Sequence, residues 1–150
     1  MATKTYTISN FTQTSSWTVS TGYDPVPYYY LSSGPSVAET NKTVSFSDIT
    51  AGSIINAATL TASYTDLNYK QRKLDGLTFT GSRNVKAKVS PGGTASFEFI
   101  WQGSGTTSLG AGSFQSSVTY SNMKVVVDYT LPASGLTLNK TSCKAGDTIR

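Results

Sequence analysis

The chain has 150 residues, of which 13% are charged and 37% hydrophobic, with a net charge of +4 and 45 serines and threonines. That length suffices for one domain with a hydrophobic core. There is no apolar run long enough for a membrane-spanning helix, and so mild a basic excess does not indicate nucleic acid. With no histidine and a single cysteine, Cys143, the chain lacks Ser-His-Asp and Cys-His nucleophile pairs, imidazole metal ligands and any intrachain disulfide.

In chain order, Met1 to Ile8 contains no apolar signal-type stretch and passes directly into strand-like alternation. Short strands are expected over Thr5 to Ser9, Trp17 to Ser20, Tyr28 to Leu31 and Thr43 to Phe46. Ile54 to Tyr64 alternates clearly, with Ile54, Ala58, Leu60, Ala62 and Tyr64 on one face and mainly threonine and serine on the other. Asn68 to Leu74 is the one place for a single helical turn, with Tyr69 to Lys73 as a connecting loop. Further strands are expected at Leu77 to Thr80, Val85 to Val89, Phe97 to Trp101 and Ser117 to Tyr120. Met123 to Tyr129 alternates most plainly of all. Turn clusters at Ser33-Gly34-Pro35, Asp75-Gly76, Pro91-Gly92-Gly93 and Gly103-Ser104-Gly105 separate these segments. About ten short alternating strands predict an all-β, antiparallel β-sandwich of the jelly-roll kind. The Gly103 to Gly112 stretch reads as a solvated hairpin connection, in preference to a loop that orders against another subunit.

Leu131-Pro132-Ala133-Ser134-Gly135 breaks the pattern with a proline. The expected organisation is a sandwich domain over 1–131, a linker over 132–135 and the start of a second domain over 136–150.

Catalysis has little to draw on. The eight acids, Asp24, Glu39, Asp48, Asp66, Asp75, Glu98, Asp128 and Asp147, occur mainly in turn-like contexts or on polar strand faces, so a carboxylate-only glycosidase is the one surviving enzyme class. No catalytic residue, metal ligand or cofactor is expected, nor a phosphate loop or calcium loop. Asn10, Asn41 and Asn139 head Asn-x-Thr sequences, read as unmodified in so threonine-rich a chain.

Two constellations could bind a partner. Trp17, Tyr23, Tyr28, Tyr29 and Tyr30 gather in the first fifth of the chain; exposed, they would stack on sugar rings, and otherwise they would form a core edge or subunit interface. Lys70, Arg72, Lys73, Arg83, Lys86 and Lys88 supply half of all positive charge within nineteen residues. Lys86 and Lys88 would share one face of a strand, making a patch for teichoic acid, nucleic acid or an acidic subunit, or an ordinary guard on a sheet edge.

Phe46-Ser47-Asp48-Ile49-Thr50-Ala51-Gly52-Ser53-Ile54-Ile55-Asn56-Ala57-Ala58-Thr59-Leu60-Thr61 resembles the strand entry of jelly-roll domains on bacterial surface and phage tail proteins, and Ser121 to Tyr129 is similar to their last strand. Leu136-Thr137-Leu138 followed by Gly146-Asp147-Thr148-Ile149 resembles the opening of bacterial immunoglobulin-like repeats. The combination resembles tail or baseplate proteins of phages that infect Gram-positive bacteria. That resemblance, and a composition suited to the outside without an export signal, imply a virion protein made in the host cytoplasm. It would be a non-enzymatic tail, neck or capsid-decorating subunit, homo-oligomeric among other virion subunits, anchoring a displayed extension and contacting host surface glycan. Nucleic acid and membrane insertion are not expected. The competing reading is a carbohydrate-binding module or adhesin fragment of a bacterial surface protein.

Overall fold

The computed structural model describes residues 1–22, 29–67, 69–105 and 111–133, with backbone alone over 21–22 and 29–32. Among the described residues ten strands form in chain order: β1 (Ala2–Ile8), β2 (Phe11–Gly22), β3 (Tyr29–Ser32), β4 (Val37–Ser45), β5 (Ile54–Asp66), β6 (Tyr69–Leu74), β7 (Leu77–Thr78), β8 (Ser82–Asn84), β9 (Thr94–Gly103) and β10 (Gly112–Thr130). They make two antiparallel sheets packed face to face, as the alternation predicts. One sheet runs β3-β2-β10-β5-β8, with β1 also on β10; the other runs β4-β9-β6-β7.

β10 organises the first sheet. Its first half pairs with β2, from Gly112 opposite Val19 to Tyr120 opposite Phe11. Its second half pairs with β1, from Met123 opposite Ile8 to Tyr129 opposite Ala2. What the sequence divides into Ser117 to Tyr120 and Met123 to Tyr129 is therefore one strand of 19 residues. A bulge joins its halves: the register on β5 slips between Ser121 and Lys124, and Asn122 takes φ 51°, a left-handed conformation that asparagine tolerates. The extra residue flips the alternation, so Val118 and Tyr120 before it and Met123, Val125, Val127 and Tyr129 after it all face the core.

Opposite them β9 contributes Ala95, Phe97, Phe99 and Trp101, all buried. The aromatic centre is tight: the Phe99 ring lies 5.5 Å from Tyr120 and 5.1 Å from Phe11, and Phe79 lies 6.2 Å from Phe99. The edge-to-face and tilted arrangements suit ring quadrupoles. The Tyr120 hydroxyl makes no hydrogen bond among the described residues, and burial raises its pKa.

Three expectations are overturned. Tyr69 to Lys73 is neither loop nor helical turn but strand β6, with Arg72 opposite Trp101 and Leu74 opposite Phe99. An arginine at the inward-facing position, 7% exposed, hides the alternation. Val85 to Val89 is not a strand: Lys86–Lys88 is a single 3-10 turn. The Asn84 Oδ1 accepts the Lys86 N–H at 3.0 Å, and the Lys88 and Val89 N–H groups donate three residues back, to the Val85 and Lys86 carbonyls. An Asx turn thus wins over extended pairing, and Val85 and Val89 are buried at both ends of the turn. Finally, β9 and β10 lie in different sheets, so the Gly103 to Gly112 connection is a crossover rather than a hairpin; residues 106–110 of it lie outside the described residues. Asp75-Gly76 is the turn that the sequence predicts, joining β6 to β7 with φ 50° and 84°, the two positive values of a type I′ hairpin.

The registers give the sandwich two distinct ends. At the base lie Ala2, the Ser45 to Ile54 connection, the start of β9, and Thr130, where β10 ends next to Ile54. At the tip, β2, β3 and the start of β10 run on past Asp66, the last residue of β5, which pairs with Val118. The expected linker starts at the base with Pro132 and Ala133, while its remaining residues and the segment 136–150, with its immunoglobulin-like opening and Cys143, lie outside the described residues.

Candidate functional site

A cleft of about 770 Å3 opens on the tip ribbon, lined by Ser16, Trp17 and Thr18 of β2, Ser33, and Ser113, Phe114 and Gln115 of β10. The register brings the two strands together here as the pairs Thr18 with Ser113, Trp17 with Phe114 and Ser16 with Gln115. Period-two geometry sends the middle pair inward and the flanking pairs outward. Trp17 is accordingly only 3% exposed, with its ring stacked on half-buried Phe114 at a centroid distance of 5.9 Å and 30° between planes. Ser16, Thr18, Ser113 and Gln115 are exposed.

Ser33 braces the cleft from the side. Its hydroxyl accepts the Thr18 N–H at 3.0 Å, its own N–H donates to the Thr18 carbonyl at 2.9 Å, and the Ser36 hydroxyl accepts the Ser16 N–H at 3.0 Å. Behind the ribbon, Gly105 takes φ 67°, and a Cβ there would lie 2.7 Å from Pro35 Cγ, so only glycine lets the chain pass so close to Pro35.

Of the aromatic candidates, Trp17 lines this cleft but offers no open ring face, because Phe114 and the sheet cover it. Tyr23 and Tyr28 lie outside the described residues. Tyr29 and Tyr30 sit on β3 opposite Gly22 and Thr21, at the tip, and their side chains lie outside the described residues. Phe114, which the sequence reading does not single out, supplies the second aromatic; its pairing with Trp17 depends on a strand register that no local pattern encodes.

The basic candidates do not form one patch. Arg72 is buried: its Nε donates to the Phe79 carbonyl at 2.8 Å, it pairs with the Asp66 carboxylate, and its guanidinium lies 4.1 Å from the Tyr64 ring centroid and 4.5 Å from that of Tyr69. Arg83 donates to the carbonyls of Leu74, Leu77 and Thr78 at 2.7, 3.0 and 3.2 Å, bracing the β6–β7 hairpin. Lys88 bridges to Asp75 at 2.9 Å and lies over the Phe97 ring. Lys70 and Lys86 are exposed and Lys73 is half-buried. The expected shared face for Lys86 and Lys88 disappears with the strand that would have carried it.

Asp48, Asp75 and Asp128 are also engaged away from the cleft. Asp48 accepts from the Tyr6 hydroxyl at 2.6 Å and pairs with Lys4 at 3.1 Å. Those two donors lower its pKa; burial and then the Asp48 bond raise that of Tyr6. Asp75 accepts the Glu98 N–H at 2.9 Å, and Asp128 accepts from the Thr3 hydroxyl at 2.8 Å. Among the described residues no three His, Cys, Asp or Glu side chains gather as a metal site, and no helix is long and apolar enough to cross a membrane.

No protein-family model, curated protein or solved structure matches this chain.

Proposed function

We propose that the chain is a non-enzymatic structural and attachment subunit of a virion, of the tail, neck or capsid-decorating kind, which docks by its base among other subunits and presents its tip to host surface glycan. The observation that carries this reading is the polarity of the sandwich. Ala2 and Thr130 lie together at the base, whereas the cleft and the ends of β2, β3 and β9 lie at the tip. A module fixed in a particle through its base leaves that tip free. Among the described residues the cleft lining carries no carboxylate, which favours binding over hydrolysis, since glycosidases act through a pair of such groups. The side of the sandwich also suits a homo-oligomer, because the nine-residue edge strand β4, running from tip to base, pairs only with β9 among the described residues and such an edge accepts a further strand.

Mass spectrometry of purified particles, with immunogold labelling, tests the reading: the chain is expected in fixed copy number on the particle. Its absence from particles and presence on bacterial cell walls would replace this reading with the surface carbohydrate-binding module.

A further inference from the structure

We infer that the cleft between β2 and β10 is a binding site for an uncharged polysaccharide, held by hydrogen bonds from Ser16, Thr18, Ser113 and Gln115 rather than by an exposed aromatic platform. The inference rests on the attachment reading above and names its ligand class and its residues.

The outer face of the first sheet is an array of hydroxyls, and its members differ in one respect. Towards the middle, cross-strand pairs close on themselves: the Thr12 and Thr119 hydroxyls lie 3.1 Å apart and those of Thr14 and Ser117 3.0 Å apart. One register step nearer the tip this stops. The side chains of Ser16, Gln115, Thr18 and Ser113 make no hydrogen bond to another described residue, although they face one another in the same ladder. Their donors and acceptors are open, and they surround the cleft. Rows of polar groups about 5 Å apart across strands and about 7 Å apart along them present alternating donors and acceptors to a ligand that carries both. Sugar hydroxyls are such groups.

Charge selects within that class. No ionisable residue among the described ones lines the cleft, and the charged residues on the outward positions of β10, Lys124 and Asp128, lie beyond the Asn122 bulge, towards the base. A polyphosphate or uronic-acid polymer would find no counter-charge here, whereas a neutral glycan loses nothing by the lack of one. Rigidity comes from below: the Trp17 and Phe114 rings pack together on the inward side of the ribbon, and Ser33 fixes β2 by two bonds to the Thr18 backbone, one from its own N–H and one through its hydroxyl, so the four side chains project from a preformed surface.

The full 150-residue chain, isotopically labelled, is titrated with neutral oligosaccharide series of increasing length (gluco-, manno- and N-acetylgluco-) and, separately, with lipoteichoic acid and polyglutamate. Amide shifts confined to 16–18, 33 and 113–115 with a neutral series are expected, with affinity that rises with chain length and is insensitive to salt. Gln115→Ala and Ser113→Ala are expected to weaken binding roughly tenfold each, as loss of one or two hydrogen bonds implies, while Thr12→Val leaves it unchanged. No shift with any neutral series, salt-sensitive binding of the anionic polymers alone, or shifts elsewhere on the chain would overturn the inference. A variant that does not fold does not obscure the result, because the shift map is read on the unaltered chain. Particle location is measured independently, so the site can fail while the virion reading stands, and the reverse.

Discussion

Replacing Arg72 separates a structural from a recognition role for the most buried of the basic residues. Arg72→Ala removes the donor to the Phe79 carbonyl, which sits in the core with Phe79 itself 0% exposed, and an unsatisfied buried acceptor costs about 1–3 kcal/mol. It strips Asp66 of its partner; breaking a fully buried pair costs about 3–5 kcal/mol, but the Asp66 side chain keeps 20% exposure and water recovers much of that. Two ring contacts at 4.1 and 4.5 Å also go, at about 0.5–1 kcal/mol each. Since these contributions overlap, a net loss of about 3 kcal/mol is expected, or roughly 10 °C in Tm for a domain of this size. Denaturant unfolding followed by tryptophan fluorescence measures it. Asp66→Asn in the Arg72→Met background should restore part of the loss, giving a coupling of about 1–2 kcal/mol. Stability within about 0.5 kcal/mol of the parent, together with lost retention on an anionic column, would refute the reasoning and return Arg72 to the surface patch.

Lowering the pH should loosen β1 at the base. The Asp48 pKa is depressed by the Tyr6 and Lys4 hydrogen bonds, so its contribution is complete above the ordinary carboxylate value of about 4 and fades as pH falls through the lower folded value; amide exchange, corrected for intrinsic rates, should rise in β1 below pH 4 and become pH-independent there in Asp48→Asn. Asn122→Val, which forces a β-branched residue into φ 51°, should cost about 1–2 kcal/mol by urea unfolding, while Asn122→Gly stays within about 0.5 kcal/mol. A chain ending after Ala133 should unfold cooperatively at the parent Tm, since β10, the last strand among the described residues, closes at Thr130; a drop of several degrees in calorimetry would show that residues beyond 133 pack on the sandwich.

Where alternation is carried by ordinary core residues, the chain states its fold openly. Phe97 to Trp101 and Met123 to Tyr129 form strands on their expected faces, and so does Ile54 to Tyr64 from Ala58 onward; Ile54, expected on the inward face, is exposed and Ile55 packs on the core in its place, because the pairing with β10 slips between Ala57 and Ile55. The misreadings share a cause: a single residue changes what the local pattern means. Arg72 occupies an inward position that looks like surface; Asn84 turns Val85 to Val89 into a 3-10 turn although valines alternate with lysines; Asn122 splits one strand into two apparent ones by shifting their phase. In each case a side-chain hydrogen bond or a left-handed backbone overrides propensity.

The site was hidden for a different reason. An aromatic such as Trp17 attracts notice as a binding platform, yet its neighbours Ser16 and Thr18 project outward because Trp17 projects inward, and the same step in β10 exposes Ser113 and Gln115 around Phe114. Conspicuous residues thus shape the cleft from beneath while inconspicuous ones face the solvent. Among many serines and threonines on this sheet, Thr14 and Ser16 are indistinguishable in sequence. What separates them is whether the residue opposite is placed to close the hydroxyl, as Ser117 closes Thr14, or leaves it open, as Gln115 leaves Ser16. That property belongs to the pairing of residues about a hundred positions apart, and it exists only once the register between β2 and β10 has been set.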